Sequence, residues 1–152
     1  MDEVDRKILN IVQTDSRQSS TQIAQAVGVS VSTANERVRK LTASGHIKAW
    51  LAVLAPEKVG ANLCAFILLD MDYTGEAAAC AALVALDEVQ ELHHISGAHS
   101  YMMKVRVADT QTLQTLINTK IKPLAGVLRT ESMLVLKTEK ETPKMRIANH
   151  EQ

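Results

Sequence analysis

The first 46 residues carry apolar side chains at helical spacing, in three groups that are separated by polar residues. The apolar positions of these groups are Val4, Ile8, Leu9, Ile11, Val12, Ile23, Ala24, Val27, Ala34, Val38 and Leu41. Gly28 follows the second group directly, where the end of a helix needs a residue that tolerates positive φ. Ser30 or Ser32 can cap the third group, because a serine hydroxyl accepts from free backbone amides. The pattern predicts three short helices, with a tight turn between the second and the third.

Polar side chains cover the side of the third predicted helix that lies away from its apolar stripe. They supply hydroxyls, an amide, a carboxylate and three cations, and they are Ser32, Thr33, Asn35, Glu36, Arg37, Arg39 and Lys40. Arginine can pair with guanine, asparagine with adenine and lysine with phosphate. A short helix, a glycine turn and such a second helix form a helix-turn-helix, which places its second helix in the major groove. We predict double-stranded DNA as the partner; an ordinary solvated helix is the alternative, which the preceding helix and turn disfavour.

Strand-like patterns replace the helical ones after residue 46. Residues 47–54 alternate in part and are followed by Pro56 and Gly60, so we interpret 47–60 as a strand and a hinge. The next segments are predicted as strand 63–71, helix 76–86, strand 89–95, strand 101–107, helix 110–122 and strand 127–136. This βαββαβ order predicts a ferredoxin-like fold, an antiparallel sheet with both helices on one face.

The predicted fold class is therefore α+β, with an N-terminal three-helix head of helix-turn-helix type, winged-helix-like, and a C-terminal ferredoxin-like domain. The predicted boundaries are 1–46 for the DNA-binding head, 47–60 for the linker, 61–140 for the effector-sensing and dimerisation domain and 141–152 for a tail.

Two of the predicted strands are apolar on both faces, which helices on one side of a sheet do not explain. Residues 63–69 and 133–136 consist of apolar side chains, whereas a half-solvated strand alternates between apolar and polar. Residues 137–152 are charged and polar, so they do not suit the second face. We therefore predict a homodimer that packs sheet against sheet through residues 61–136, as a two-fold DNA site requires.

Composition narrows the function further. The chain has 17 basic and 17 acidic side chains, so no global field attracts nucleic acid. Positive charge is nevertheless concentrated in residues 31–50, which contain one acidic side chain and four basic ones, Arg37, Arg39, Lys40 and Lys48. Cys64 and Cys80 belong to no metal-binding motif and are interpreted as small core residues. Without a signal-peptide pattern or an apolar run of about 18 residues, we expect a soluble, cytoplasmic protein with no membrane partner and no cofactor.

A specific set of residues is distributed along nearly the whole chain between Val4 and Thr142. Its members are Asp5, Ile8, Leu9, Asp15, Arg17, Ile23, Ala24, Val27, Gly28, Ser30, Arg37, Val38, Leu41, Gly45, Ile47, Trp50, Ala52, Leu54, Pro56, Gly60, residues 89–97, Tyr101, Met102, Val105, Val107, Gly126, Val127, Thr130, Val135 and Leu136. This set resembles the Lrp/AsnC family, the leucine-responsive and asparagine-related transcription regulators. The resemblance implies a DNA-binding head joined to an effector-sensing domain, dimers that assemble into octamers or related rings, and amino acids as the usual effectors.

The same resemblance implies a sensing loop between the second and third strands of the sheet, at residues 96–101. The candidate effector-binding residues are Gly97, His99, Ser100, Tyr101 and Met102. Gly97 lets backbone amides approach a ligand, and amides at a turn can hold a carboxylate. Many family members have an aspartate where this chain has Ser100; an aspartate pairs with an ammonium group, whereas a serine only hydrogen-bonds to it. A plain β-turn is the alternative interpretation of this loop.

Three histidines near this loop raise the question of a metal. His93 and His94 are adjacent in a predicted strand, so their side chains face opposite sides and cannot chelate one ion together. No cysteine or carboxylate spacing completes a site with His99, and we predict no metal centre.

The favoured function is a DNA-binding transcription regulator modulated by a small effector, expected to be an amino acid. Two alternatives stay open: an enzyme resembling the siroheme decarboxylases, and an effector-independent DNA-organising protein. The exposed basic helix disfavours the enzyme, which has no need of one, while Ser100 in place of an acid keeps the organising protein open. No catalytic triad, carboxylate pair or phosphate loop indicates other chemistry, so we predict that the chain is not an enzyme.

Overall fold

Residues 1–148 are described by the structure, a computed structural model, and they divide into two units. The first unit contains Met1–Val53 and the segment that begins at Lys140, and the second unit is Leu54–Glu139. Each unit has its own cluster of buried apolar side chains. Residues 149–152 of the predicted tail lie outside the described residues. The boundaries predicted from the sequence stay predictions.

Three helices form the head, and they are α1 (Glu3–Val12), α2 (Ser20–Val27) and α3 (Val31–Ala43). Each helix follows a polar residue whose side chain accepts from a backbone amide of the first turn. These capping residues are Asp2, Ser19 and Ser30. Gly28 ends α2 with a φ of 74°, a left-handed conformation that costs other residues roughly 1–2 kcal/mol. The three predicted helices are confirmed.

The apolar stripes of the three helices meet in one core. Its buried members are Ile8, Val12, Ile23, Ala24, Ala34, Leu41 and Ile47. Ile8 of α1 and Ala34 of α3 are fully buried in this core. The segment after Lys140 adds to this unit through Gln13, whose Nε2 donates to the Met145 carbonyl at 2.9 Å and whose Oε1 accepts from the Met145 amide at 3.0 Å.

The strand predicted for residues 47–54 is wrong. No strand is assigned between α3 and a 3₁₀ turn at Pro56–Lys58 within the described chain. Trp50, Leu51 and Val53 are 45%, 77% and 79% exposed. A strand needs a neighbour to pair its backbone amides and carbonyls, and no described segment pairs with this one. The partial alternation of apolar residues was therefore not sufficient to predict a strand.

The second unit contains one sheet and two helices in the predicted βαββαβ order. The elements are β1 (Leu63–Met71), α4 (Glu76–Val84), β2 (Val89–His94), β3 (Tyr101–Val107), α5 (Thr110–Leu116) and β4 (Val127–Leu134). A π-helical turn, Ile117–Ile121, follows α5, so the predicted helix 110–122 is two elements. All neighbouring strands are antiparallel, in the order β2-β3-β1-β4. The ferredoxin-like prediction is confirmed.

One face of the sheet packs on the helices and forms the core of this unit. Alternate residues of β1 and β3 point to it and are buried, and they are Ala65, Ile67, Leu69, Met103, Val105 and Val107. Leu83 of α4 and Leu113 and Leu116 of α5 complete the cluster. Because side chains alternate along a strand, the intervening residues must point to the other face, which no described element of this unit covers.

This open face has an apolar centre and a charged margin. The register places Phe66 opposite Met133 and Leu68 opposite Met102. We call these four residues the open-face patch; three are half-buried and Met133 is 45% exposed. Around them stand Glu91, Lys104, Asp70, Arg129 and Glu131. The face is therefore more mixed than the apolar runs of β1 and β4 suggested.

Candidate nucleic-acid interface and effector loop

The polar face of α3 is exposed and is held in place from its first turn. The Ser30 hydroxyl accepts from the Thr33 amide at 3.1 Å, and it lies 2.9 Å from the Ser32 hydroxyl and 2.7 Å from the Thr33 hydroxyl. Ser32, Thr33, Glu36, Arg37 and Lys40 line a shallow depression of about 340 Å³ on this face. Five of the seven predicted DNA-binding residues thus border one concave surface.

Glu36 binds both cations that follow it on the exposed face. Its carboxylate accepts from Arg39 through Nε at 3.1 Å and through Nη2 at 2.7 Å, and Lys40 Nζ lies 3.6 Å away. The Arg39 hydrogen bonds, with the nearby positive charges, hold the pKa of Glu36 below its ordinary value. The carboxylate is therefore charged wherever the protein is folded at neutral pH.

Arg37 has a different role from its neighbours. Its guanidinium donates to Asp5 Oδ1 at 3.0 Å and also to the Asp2 carboxylate. The hydrogen bond from Arg37 lowers the pKa of Asp2, and the two carboxylates raise the pKa of Arg37. Arg37 thereby ties α3 to the first turn of α1. Neither partner is predictable from the sequence, since residues 32 and 35 positions apart give no local signal.

Asn35 also contacts its own domain. The Ser20 hydroxyl, at the start of α2, donates to the amide oxygen of Asn35. This contact joins the two helices of the helix-turn-helix on the side where both face solvent. Asn35 and Arg37 thus hold the geometry of the polar face, and Arg37 also lines the depression beside Ser32, Thr33, Glu36 and Lys40.

The predicted sensing loop connects β2 to β3 through residues 95–100. The Ile95 amide donates to the Ser100 carbonyl at 2.9 Å, and the Ser100 amide donates to the Leu69 carbonyl at 3.0 Å. Gly97 has a φ of 130°, which only glycine adopts readily. The loop is a tight connection whose second half is tied to β1.

His99 holds this loop to two strands. Its Nδ1 lies 3.1 Å from Asp70 Oδ1 on β1, and its Nε2 lies 3.7 Å from Glu131 Oε2 on β4. The imidazole is only 15% exposed. His99 is predicted from the sequence as a ligand contact, but its two carboxylate partners are not, because 29 and 32 residues separate them from the histidine.

The predicted effector residues do not all face the same side. Tyr101 points to the helix face, where its hydroxyl donates to Glu76 Oε1 at 2.6 Å and its ring stacks on His94 at 4.8 Å. The hydrogen bond to Glu76 raises the pKa of Tyr101, and a second, smaller contribution comes from a hydrogen bond with the Cys80 thiol. Met102 points to the open face. The structure brings together Gly97, His99 and Ser100 but separates Tyr101 from Met102.

His93 and His94 lie on opposite faces of β2, as the sequence predicts, with His93 Nε2 3.1 Å from Glu91 Oε2. Among the described residues, no three His, Cys, Asp or Glu side chains are grouped so that they can hold a metal ion. Within the same part of the chain, no helix has the length and apolar character needed to cross a membrane.

A helix-turn-helix with a polar, exposed second helix, on a chain that also carries a ferredoxin-like domain, defines a class of DNA-binding regulators. Residues 1–42 match the AsnC-type helix-turn-helix domain, and residues 64–145 match the Lrp/AsnC ligand binding domain. The chain belongs to the Lrp/AsnC family of transcription regulators. The first domain implies a DNA partner, and the second implies a small-molecule effector.

Similar proteins agree with this assignment. The chain is 33% identical over 147 residues to the HTH-type transcriptional regulator FL11 of Pyrococcus abyssi, covering 97% of each chain. It is 32% identical to the leucine-responsive regulatory protein of Salmonella typhimurium, covering 95% of this chain and 90% of the relative. A Neisseria meningitidis transcriptional regulator, solved in complex with L-Met, shares the fold with a TM-score of 0.92 at 24% identity over 96% of each chain. These relatives are named as regulators, which disagrees with the decarboxylase alternative.

Proposed function

We propose that the protein reads double-stranded DNA with the exposed face of α3, as a homodimer whose DNA binding responds to an amino acid at the loop of residues 95–100. The observation that carries the DNA-binding part is the concave polar surface on α3, which the Ser30 cap and Arg37 hold in place. In a helix-turn-helix, residues at this position reach base edges and phosphates.

The seven candidate residues divide by their contacts. Arg39 and Lys40 are exposed cations for phosphate or guanine, and Ser32, Thr33 and Glu36 offer polar groups to base edges. Asn35 and Arg37 act through the geometry of the head, since Ser20, Asp2 and Asp5 engage them. Substitutions in the first group should alter affinity for DNA directly. Substitutions of Asn35 or Arg37 should alter it by changing the stability of the head.

A second copy of the chain suits the open face of the sheet. The open-face patch exposes apolar surface beside charged groups of both signs, and an exposed apolar patch with a polar margin marks a protein–protein interface. A dimer would place two α3 helices on half-sites about one helical turn, or a multiple of it, apart. Assembly of dimers into octamers or related rings follows from the family resemblance.

An amino acid is the effector class that we propose for the loop. Backbone amides near Gly97 suit a carboxylate group, and one curated relative is named leucine-responsive. Gly97, His99, Ser100, Tyr101 and Met102 remain the candidate contacts. An effector changes DNA binding only if it binds one assembly more tightly than another.

DNA binding is tested by measuring affinity for duplex DNA against salt concentration. If Arg39 meets one phosphate, Arg39→Ala should weaken binding and lower the slope of log K against log salt by about 0.9. Lys7→Ala is the matched control, because Lys7 is an exposed cation of α1 that pairs with Glu3 at 2.7 Å. An unchanged slope in Arg39→Ala would remove this residue from the interface.

Effector binding is tested by calorimetry of the protein against the twenty amino acids. Heat of binding with one or a few of them, lost in His99→Ala, supports the loop as the site. No heat of binding with any of the twenty amino acids, together with preserved DNA binding, would favour the effector-independent DNA-organising protein, the alternative that Ser100 keeps open.

A further inference from the structure

Every cation on the polar face of α3 is paired with a carboxylate, but the pairs differ in kind. Arg37 binds Asp2 and Asp5 of α1 and is half-buried. Arg39 and Lys40 are 75% and 73% exposed, and both bind the single carboxylate of Glu36. One acidic residue thus stands in the centre of the cationic part of the proposed DNA-reading surface.

This arrangement weakens attraction to phosphates. Arg39 lies in a forked contact with both oxygens of Glu36, at 2.9 Å and 2.7 Å from Nη2, so a phosphate must displace a carboxylate to reach it. The negative charge of Glu36 also repels phosphates directly. A protein that needed only tight binding to any DNA would gain affinity by losing this residue.

Among the base edges of the major groove, cytosine suits a carboxylate best, because the N6 donor of adenine lies beside the N7 acceptor, which repels a negative charge. Glutamate accepts a hydrogen bond from the exocyclic N4 amino group of cytosine, whereas oxygen and nitrogen acceptors of guanine repel it. Glu36 is on the same side of α3 as Ser32 and Lys40, one turn away in each direction. It therefore lies within the row of side chains that would face the groove.

We propose that Glu36 is the specificity-determining residue of the DNA-reading surface and that its ligand is the N4 amino group of a cytosine. In the free protein it holds Arg39 and Lys40. On a correct half-site the cytosine amino group takes over the carboxylate, and the two cations move to phosphate or guanine. On other sequences the carboxylate stays with its cations, or is left without a donor, and binding is weak. This inference rests on the proposed DNA binding by α3.

The ion pairs of Glu36 contribute little to the stability of the fold, so the residue can be substituted without unfolding the head. All three side chains lie on the helix surface, and exposed ion pairs at spacings of three and four residues are weak. Glu36→Gln keeps the length and shape of the side chain but removes the charge. It should leave the helical circular-dichroism signal and the melting temperature of the head unchanged.

The experiment selects duplexes from a random library with the full-length wild-type protein and with Glu36→Gln. The wild type should enrich a cytosine at one position of each half-site, and Glu36→Gln should replace it by adenine, which glutamine recognises through N6 and N7. Affinity for an unrelated duplex should rise several-fold in Glu36→Gln. The ratio of specific to non-specific affinity should fall about tenfold, as loss of one base contact does.

Two further variants sharpen the result. Glu3→Gln is the matched control, because Glu3 pairs at the same spacing of four residues with Lys7 on α1 and not with a cation of α3; it should change neither the selected sequence nor the ratio. Glu36→Asp keeps the charge on a shorter side chain and should retain the preference for cytosine with lower affinity.

The outcomes separate this inference from the function on which it rests. If the wild type selects a sequence and Glu36→Gln selects the same one with an unchanged affinity ratio, Glu36 has no part in specificity and the inference is overturned. If the wild type binds no duplex even at low salt, the proposed DNA binding fails, and the role of Glu36 fails with it.

Discussion

Nδ1 of His99 lies 3.1 Å from Oδ1 of Asp70, which joins the β2–β3 loop to the middle strand β1 across 29 residues of chain. Since a carboxylate only accepts, the imidazole N–H donates in this contact. Glu131 of β4 lies on the other side of the ring. His99 is therefore already bound to residues of two strands before any ligand approaches the loop. A movement of its ring would break contacts with Asp70 and Glu131 on the open face.

Removal of this contact should loosen the loop without unfolding the domain. His99→Ala deletes a largely buried hydrogen bond to a charged group and should lower the free energy of unfolding by about 1 kcal/mol. Amide hydrogen exchange at residues 95–100 should become faster. His93→Ala is the control, since His93 pairs with Glu91 on the same sheet but is 52% exposed. Equal effects of the two variants would show that His99 does not hold the loop.

The contact between Arg37 and Asp2 should make the stability of the head depend on pH. The pKa of Asp2 is lower in the folded protein than its ordinary value, so the unfolded chain binds the proton more tightly. The stabilisation is present above about pH 4, the ordinary range of an aspartate, and is lost as the pH falls through the lower folded-state value. Melting temperatures measured from pH 6 to pH 2 should fall less steeply in Asp2→Asn than in wild type. Asp87→Asn, an exposed aspartate of the second unit, should behave as wild type does.

The turn after β1 requires glycine at position 75. A β-carbon added there would lie 2.6 Å from the Cα of Gly126 and 2.8 Å from the Ala125 carbonyl oxygen, and backbone at that distance must move. Gly75→Ala should destabilise the second unit by about 1–3 kcal/mol, as overpacking does. Gly60→Ala is the control with open space around it, although its φ of 77° adds strain. Chemical denaturation compares the two, and a smaller loss in Gly75→Ala would contradict the close approach.

The open-face patch should control assembly. Leu68→Lys places a charge opposite Met102 in the centre of the patch and should convert the proposed dimer to monomer at micromolar concentration. Val84→Lys, on an exposed position of α4 that is 66% accessible, is the control. Sedimentation equilibrium gives the mass of each variant. A dimer that survives Leu68→Lys would place the interface elsewhere.

Local sequence signals were sufficient to predict most of the secondary structure. The serine cap at 30, the glycine at 28 and the apolar stripes predict the three helices because each signal acts within four or five residues. The same holds for β1 and β3, whose predicted bounds match the structure. Residues 47–54 show the limit of this reasoning, since apolar alternation specifies a strand only where a partner strand is present.

The sequence by itself determined which elements form, in which order, and which family the chain resembles, because helix caps, turns and hydrophobic periodicity are properties of neighbouring residues. Only the tertiary structure decided which charges meet. Arg37 binds Asp5 rather than standing free on α3, His99 lies between Asp70 and Glu131, and Tyr101 turns away from Met102. Each of these relationships depends on the packing of one helix on another or on the register of the sheet, and the pattern of a short segment contains neither.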